Sequence, residues 1–420
     1  MGDTAADLAV TSIETRASWF VAFIVLTVMS FAFGAPFISV VALKQIASEL
    51  GSARSVPALG YSLAWFGSGV GGIVMGRIAE RVGTRWTVAF GAAMIGVGLA
   101  VSTGHSMWSL WLGHGLFIGL LGIGGINAPC YVYVSRWFDS HRGTALALIS
   151  SGQYVAGTIW PLLFQRSIAQ LGWRETMLIF AAAVVVVVIP LALLILRDPP
   201  ELPASIGAAA RDRSGASVLG LPPNLTLALL AAAAFMCCVP MAMPPSHLVA
   251  YCTDLGIAPA QGAAMLSVLL GCAFFSRQMW GWIADRIGGL RTVLCGSISQ
   301  VLAMAGFLLA HDEASLFAVA TFFGLGFAGM VPAYVLAVRE LFPAAEAAWR
   351  VPTLLLFSGS GMATGGWLAG FLYDRFGFYG VAFGTGLVVN LGNLIIIGAL
   401  VLRELRMARG TSTVPRALGS

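Results

Sequence analysis

The sequence predicts an all-α membrane protein in which twelve transmembrane helices form two pseudo-symmetric six-helix bundles. The first observation is composition: 58% of the 420 residues are hydrophobic, only 10% are charged, and the mean hydropathy is +0.88. The second is that apolar segments long enough to cross a bilayer recur along the whole chain. The third is an internal repeat at an offset of about 205 residues. Together these observations exclude a soluble globular protein.

The apolar segments predict twelve spans. They lie at residues 19–43, 56–76, 86–104, 109–134, 143–165, 175–196, 223–250, 259–284, 290–310, 315–338, 351–373 and 378–401. The longest polar stretch, 197–222, contains prolines, glycines and serines and predicts a flexible cytoplasmic linker. It divides an N-terminal bundle at 19–196 from a C-terminal bundle at 223–401, with cytoplasmic tails at 1–18 and 402–420.

The repeat shows that the two bundles correspond. The segment GRIAERVG at 76–83 matches GWIADRIG at 281–288 at an offset of 205 residues, and Tyr131 matches Tyr334 at an offset of 203. Parallel repeats of six helices, with a binding site near the midplane where they meet, are typical of secondary transporters.

The basic residues predict the orientation. With the N-terminus in the cytoplasm, 17 Lys and Arg residues lie on the cytoplasmic side and 5 on the other side. This predicts a multi-pass protein of the cell inner membrane with both termini cytoplasmic. The same bias accounts for the net charge of +5, so nucleic-acid binding is not needed to explain it. We expect a monomer.

No cofactor, metal or enzymatic activity is expected. The six cysteines lie in or beside apolar spans and none has C-x-x-C spacing. No metal-binding cluster and no nucleophile–base pair occurs at membrane depth.

Arg277 is the one charge that lies neither in a loop nor at a helix end. It stands in LSVLLGCAFFSRQMWGWIADRIG, residues 266–288, about 12 Å along a helix from Asp285. A buried arginine at that depth costs at least roughly 2.5–3.5 kcal/mol on insertion scales. The alternative to a substrate-facing role is pairing with a carboxylate or with helix carbonyls. No other apolar span has an Asp or Glu in its interior, since Glu175 is the first residue of its span, so an ionic partner is missing.

Other polar and aromatic residues within the spans are weaker candidates. His247 follows Pro240, Pro244 and Pro245, which predict a broken or kinked seventh helix. It either binds substrate or carries a proton, or it is a hydrogen-bonded histidine at the periplasmic end of the helix. Tyr131 and Tyr334 could each donate to a carboxylate or simply pack. The remaining candidates are Asn127, Gln153, Tyr154 and Ser358, and, for the apolar part of a ligand, Phe33, Phe37, Phe274 and Phe357.

The two copies of the GRIAERVG-type segment, each between apolar spans, resemble the loop signature of the major facilitator superfamily. That resemblance covers the chain from about Trp19 to Val401. It implies that the acids of the two loops help to close the cytoplasmic face against the starts of the eleventh and fifth helices. The residues concerned are Glu80, Arg81, Asp285, Arg286, Arg350 and Arg142. Ordinary turn and capping chemistry is compatible with the same residues.

Within that superfamily the chain resembles the monocarboxylate transporters and the oxalate–formate antiporters. The segments that carry this resemblance are SRQMWGWIADRIG around Arg277, SRWFDSHRGTALALISSGQYVAG at 135–157, GWR at 172–174 and HLVAYCTDLG at 247–256. The resemblance implies that Arg277 binds the anion, and a guanidinium fork suits a carboxylate.

Three positions at which the chain differs from those relatives restrict the class of substrate. The first span lacks the lysine found in proton-coupled relatives, and Ala273 stands where they have an aspartate. Ser358 stands where the oxalate carrier has a second cation. One cation balances one carboxylate, whereas the second carboxylate of a dicarboxylate would remain buried and unpaired. We therefore expect a monocarboxylate.

The expected function is secondary active transport of a small monocarboxylate such as lactate or pyruvate, by alternating access. Family likeness favours symport with a proton, which His247 would carry; the alternative is anion exchange. A further alternative is export of an amphipathic compound. A sensor or assembly protein is disfavoured because the tails and the 26-residue linker are too short to fold a signalling domain. The expected partners are a small organic anion, a proton and the lipid bilayer.

Overall fold

The computed structural model describes residues 14–138, 141–196 and 218–412. Most of the predicted linker (197–217), the ends of both predicted tails (1–13 and 413–420) and the side chain of Arg142 lie outside the described residues. Within the described ranges the regular elements are helices, and the one β-bridge joins Val218 and Leu221.

The N-terminal half contains the first six spans. The first is divided into one long and two short helices, and the fourth contains a π-helical segment. The helices are Arg16–Gly34, Phe37–Val41, Leu43–Glu49, Ser55–Val82, Thr84–Ser102, Met107–Leu112, the π-helix Gly113–Ile123, Gly124–Ser135, Arg142–Ser150, Gly152–Leu171 and Trp173–Ile195.

The C-terminal half repeats this arrangement with fewer interruptions. Its helices are Pro223–Asp254, Pro259–Ile287, Gly289–Leu309, Glu313–Phe327, Met330–Leu341, Ala344–Phe376 and Tyr379–Ser412. The last helix runs eleven residues beyond the predicted end of its span at 401. It continues through Arg403 and Glu404, and the Glu404 carboxylate pairs with Arg291 at 3.4 Å.

Each of the twelve predicted spans coincides with one or more of these helices, and the predicted ends extend past the helices by at most two residues. By length and composition, eleven spans in the described part of the chain are long and apolar enough to cross a membrane. The remaining predicted span, 351–373, lies in Ala344–Phe376, whose 33 residues are also sufficient in length. That helix is less apolar because its middle carries Ser358, Ser360 and Thr364.

The seventh helix runs unbroken from Pro223 to Asp254 despite Pro240, Pro244 and Pro245, so the predicted break does not occur. Proline removes backbone hydrogen bonds, but neighbouring helices can hold such a segment in place within a membrane. Here every residue from Cys237 to Cys252 is buried, so the helix is enclosed on all sides.

Glycines explain both the repeated turns and the closest helix contacts. Gly83 and Gly288, at corresponding places in the repeat, end the second and eighth helices at φ +93° and +82°, a conformation that other residues rarely adopt. Gly365 brings the eleventh helix onto the seventh: a Cβ there would lie 1.9 Å from the Val239 carbonyl oxygen.

The two halves meet along two related seams. Helices are numbered here by the span to which they belong. The second, Ser55–Val82, packs on the eleventh, Ala344–Phe376, where Gly366 approaches Ser62. The fifth helix packs on the eighth, where Gly157 lies against Leu270. We call the end of the molecule that carries Arg54 and Asp254 the Arg54 end, and the end that carries Glu80 and Asp285 the Glu80 end.

Candidate functional site

Arg277 lies inside the eighth helix, ten residues before its end at Ile287, which corresponds to about 15 Å. The side chain is half-buried, and its Nη1 donates a 3.3 Å hydrogen bond to the phenol of Tyr154. Among the described residues, no Asp or Glu forms an ion pair with Arg277. The guanidinium therefore retains donors for a ligand.

The backbone around Arg277 is anchored to the tenth span at its interruption. Ser276 Oγ and Trp280 Nε1 both donate to the Leu325 carbonyl, at 2.6 and 2.8 Å. The two helices of the tenth span, Glu313–Phe327 and Met330–Leu341, are interrupted immediately after that point. These anchors fix the rotation of the eighth helix and so the direction in which Arg277 projects.

Tyr154 comes from the other half of the protein. It lies just after Ser151, where the fifth span is interrupted between Arg142–Ser150 and Gly152–Leu171. Its ring meets Phe327 edge-on at 6.1 Å, and the Arg277 guanidinium lies 5.6 Å from its centroid. The same level of the seam holds a long contact from Gln278 Nε2 to Ser151 Oγ at 3.5 Å. From the sequence, Tyr154 was a weaker candidate than Tyr131. No strong sequence signal marks the interruption at Ser151, which lies just before Tyr154.

Tyr131, predicted as a ligand, lies within electrostatic reach of both Arg277 and Tyr154. It is half-buried in Gly124–Ser135. Asn127 lies one turn earlier on that helix, is also half-buried, and has no hydrogen-bond partner within the described part of the chain. Tyr131 is therefore close enough to Arg277 to feel its charge, and Asn127 lies one turn from Tyr131 on the same helix.

Tyr334 occupies a different environment from its repeat partner Tyr131. It is fully buried and donates a 2.6 Å hydrogen bond to Asn393. The Asn393 amide nitrogen in turn donates to Ser297 and Asn390, at 2.8 and 3.0 Å. Tyr334 thus belongs to a polar network among the ninth, tenth and twelfth spans, and the structure does not bring it to Arg277.

Ser358 also lies in an interior contact. It is 4% exposed, and its hydroxyl is 3.0 Å from the Cys238 sulfur. It shares a face with Gly361 and Gly365, which pack on the backbone of the seventh helix. In this state its side chain faces the seventh helix, away from Arg277.

The four predicted aromatic contacts separate into three places. Phe33 stacks on Trp65 at 5.5 Å, and Phe37 lies 6.2 Å from Tyr61, so both belong to an aromatic cluster of the N-terminal half. Phe274, one turn before Arg277, lines an apolar groove between the fifth and eighth helices. Phe357 is exposed, and no ring contact involves it among the described residues.

His247 is buried in the C-terminal half, near the Arg54 end. Its Nδ1 is 3.0 Å from the Tyr379 hydroxyl, and its Nε2 is 2.8 Å from the Gly366 carbonyl oxygen. Both ring nitrogens therefore have partners. His247 takes no part in the contacts that surround Arg277.

The Arg54 end is closed by charged contacts between the halves. Arg54 makes a bidentate pair with Asp254 at 2.5 and 2.8 Å, and Lys44 reaches the same carboxylate at 2.9 Å. Asp374 accepts from the backbone nitrogens of Arg54 and Ser55, both at 2.8 Å. Burial by itself lowers the pKa of Arg54, but the hydrogen bonds that it donates to Asp254 and Tyr379, together with the charges of those groups, outweigh burial; the pKa is raised and Arg54 stays charged.

At the Glu80 end, neither Glu80 nor Asp285 forms an ion pair within the described residues. Glu80 borders a small crevice with Thr84 and Arg136. Arg286 lies 3.4 Å above the Trp282 ring. Arg81 is exposed.

Arg350, the predicted partner of the Glu80 loop, is held within its own half. It pairs with Glu346 at 2.6 Å and donates to Asn224 at 3.2 Å. The predicted contact between Glu80 and Arg350 is therefore not formed in this state.

These features define a class of protein: a polytopic helical carrier with two related halves, a cation at membrane depth between them, and one closed end. The chain belongs to the Major Facilitator Superfamily, which it matches over residues 18–348 and again over 228–417. It is a transporter rather than an enzyme.

Individual relatives are distant. The chain is 26% identical to an MFS-type transporter of Ophiocordyceps over 64% of its own length, and the match spans 60% of that relative. It is 26% identical to monocarboxylate transporter 13 of Rattus norvegicus, over 81% of this chain and 79% of the relative. It is 25% identical to the agnestins efflux protein of Paecilomyces divaricatus, over 77% and 73%.

Solved structures show the same fold. A bacterial homologue of the human lysosomal transporter Spinster superposes with a TM-score of 0.69 at 15% identity, covering 93% of this chain and 97% of that one. The peptide transporter POT in complex with sulfate gives 0.71 at 14% identity, covering 93% and 95%.

Proposed function

We propose that this protein carries small monocarboxylates of the lactate or pyruvate type by alternating access, and that Arg277 binds the carboxylate. The observation that carries the proposal is an arginine at membrane depth whose described neighbours include no carboxylate. Keeping such a group is costly unless it is used. A planar guanidinium presents two parallel donors that match the two oxygens of a carboxylate.

The neighbours of Arg277 extend this proposed site. Tyr154 places a phenol beside the guanidinium, and Tyr131 lies within reach of its charge. Asn127, one turn from Tyr131, adds a side-chain amide that has no partner among the described residues. A carboxylate could replace the Tyr154 hydroxyl as acceptor for Nη1 and then receive a hydrogen bond from that hydroxyl. Tyr334 and Ser358 remain predicted contributors, for which a rearrangement of the C-terminal half would be required.

Likeness to a monocarboxylate transporter supports this substrate class, whereas likeness to the agnestins efflux protein supports an alternative. That alternative is export of an amphipathic compound or exchange of organic anions. The groove of about 210 Å³ beside Phe274 favours it, because its lining is apolar and it lies one turn from Arg277. Its lining residues are Val155, Thr158, Ile159, Gly271, Phe274 and Phe275.

Proton linkage is part of the proposal. Arg277 stays charged at any accessible pH, so it cannot itself carry the proton. Ala273 supplies no carboxylate one turn before it. His247 is the proposed proton carrier, since it is a titratable group buried close to the closing contacts.

The proposed setting is a monomer in the cell inner membrane with both termini in the cytoplasm, as the distribution of basic residues predicts. In that orientation the Arg54 end faces outward and the state described here is closed to the outside. Closure of the Glu80 end would then bring Glu80 and Asp285 towards Arg350 and Arg142 in the opposite state.

Uptake into proteoliposomes tests this function. Purified protein should accumulate labelled lactate or pyruvate when an inward proton gradient is imposed, and excess unlabelled monocarboxylate should compete. Arg277→Ala should abolish uptake while eluting as a monodisperse protein. Near-normal uptake by Arg277→Ala would exclude this site. Efflux of an amphipathic anion without monocarboxylate uptake would favour the alternative.

A further inference from the structure

Four groups at the Arg54 end form a continuous chain of hydrogen bonds across the two halves. Arg54 Nη1 of the N-terminal half donates to the Tyr379 hydroxyl at 3.3 Å. Tyr379 contacts His247 Nδ1 at 3.0 Å, and His247 Nε2 contacts the Gly366 carbonyl at 2.8 Å. The same Arg54 guanidinium holds Asp254. His247 is thus joined to the closing ion pair through one oxygen atom.

The chemistry of these groups gives the chain a direction. A carbonyl oxygen only accepts, so Nε2 must carry the hydrogen that is donated to Gly366. In a neutral imidazole Nδ1 is then an acceptor, and Tyr379 must donate to it. The Tyr379 oxygen can therefore accept a hydrogen bond from Arg54 while the Tyr379 hydroxyl donates its own hydrogen to His247 Nδ1. Every contact in the chain is satisfied only when His247 is neutral.

We propose that His247 is a proton-binding site that controls the Arg54 end: the neutral histidine holds this end closed and the protonated histidine opens it. Protonation places a hydrogen on Nδ1, so the Tyr379 hydroxyl faces two donors and can no longer donate to the ring. It also places a second cation one oxygen away from Arg54. His247 is fully buried, so water does not screen this repulsion.

The surrounding charges strengthen the effect. The charged and titratable groups that face this region are Lys44, Arg54, Tyr251, Asp254, Tyr373, Asp374 and Tyr379. The two cations are balanced by the two carboxylates, so a protonated His247 leaves one uncompensated positive charge. Carboxyl groups ordinarily titrate near pH 4 and phenols near pH 10. Between about pH 5.5 and about pH 7.5, histidine is therefore the group expected to change.

This inference gives the proposed proton linkage a location that is separate from Arg277. It does not rest on the identity of the substrate. A substrate-free measurement therefore tests it, and the transport experiment above can fail or succeed independently.

The test measures the distance between the halves at the Arg54 end. Spin labels are attached at Ser48→Cys and Gln261→Cys, two exposed positions in opposite halves. Cys272 and Cys295, the native cysteines that are not buried, are replaced by serine. Acidification from about pH 7.5 to about pH 5.5 should shift molecules from short to long distances. One proton can change the ratio of open to closed molecules by at most about tenfold per pH unit.

The decisive variant is His247→Gln. Its amide can donate to Gly366 and accept from Tyr379 but does not titrate, so short distances should persist at both pH values. The matched control is His114→Gln. His114 is also fully buried, but it lies in the N-terminal half, where it contacts Ser39 and Ser102. The His114→Gln variant should keep the pH response.

Tyr379→Phe provides a second variant should His247→Gln fail to fold. It leaves the Arg54–Asp254 pair but removes the link to His247, so the pH-dependent shift should shrink. A wild-type protein with the same distances at both pH values would overturn the proposal. An undiminished pH-dependent shift in His247→Gln would also overturn it. If His247→Gln does not fold, an undiminished shift in Tyr379→Phe would overturn it instead.

Discussion

Arg277 and Tyr154 lie in different halves of the protein, and Nη1 of the arginine donates a 3.3 Å hydrogen bond to the phenol of the tyrosine. The contact therefore spans the interface that must rearrange when the two halves rock about a central site. A ligand that binds Arg277 would also change how the fifth and eighth helices are held together.

Arg277→Lys should reduce monocarboxylate uptake by about 10- to 100-fold although the charge is kept. An ammonium cannot reproduce the two parallel donors of the guanidinium, and the lost charge-assisted hydrogen bond is worth about 1.5–3 kcal/mol. Initial rates in proteoliposomes measure the effect. Equal protein incorporation is the control, and a rate within twofold of wild type would contradict a bidentate contact.

Tyr154→Phe should weaken apparent substrate affinity by about two- to tenfold, since one hydrogen bond of about 0.5–1.5 kcal/mol is removed. The ring that packs on Phe327 is retained. Concentration dependence of uptake measures the change. Tyr251→Phe is the matched control, because that hydroxyl contacts the carbonyls of Phe307 and Ala310. An equal loss in both variants would mean that Tyr154 has no particular role at the site.

Asp254→Asn should loosen the Arg54 end by removing the negative charge that pairs with Arg54 and Lys44 and one of the two acceptor oxygens. The side chain is 23% exposed, so the effect should be modest, about 0.5–1 kcal/mol or two- to fivefold in the open population. Labelling of Ser62→Cys by an impermeant thiol reagent reports the opening, because Ser62 is only 2% exposed in the closed state. The experiment uses the Cys272→Ser, Cys295→Ser background.

The control for this measurement is Asp312→Asn. Asp312 is an exposed acid whose carboxylate caps the start of Glu313–Phe327 through Ser315. It should leave the labelling rate of Ser62→Cys unchanged. Unchanged labelling in Asp254→Asn as well would show that these ion pairs do not hold the end closed.

Gly365→Ala should destabilise the C-terminal half by about 1–3 kcal/mol, because a methyl group there meets the Val239 backbone at 1.9 Å. Thermal unfolding in detergent measures the loss. Gly359→Ala on the same helix is the control, since a Cβ at Gly359 has no heavy atom within 4 Å. Equal melting temperatures for the two variants would contradict the close packing of the seventh and eleventh helices.

Much of the fold was predictable because it follows from periodic properties of the chain. A bilayer requires apolar segments of a minimum length with satisfied backbone groups, so composition alone predicted helices. The repeated GRIAERVG and GWIADRIG segments predicted equivalent turns, which Gly83 and Gly288 form with similar dihedral angles. The seventh helix was predicted less well, because neighbouring helices hold its prolines in a continuous helix.

The candidate site was predictable only in part. Arg277 was evident because one charge in a long apolar segment has a cost that local structure cannot remove. Its partner Tyr154 was only a weaker candidate, because their contact joins residues 123 positions apart. Tyr131 and Tyr334 correspond in the repeat, yet one lies near Arg277 and the other donates to Asn393.

The helical membrane fold, the two related halves and the cation at membrane depth can all be inferred from residue type and from spacing along the chain. Three contacts could not be inferred in that way: Arg277 with Tyr154, Ser358 with Cys238, and His247 with Arg54 through Tyr379. Such contacts depend on how each helix is rotated against neighbours from distant parts of the chain, and close packing fixes that rotation.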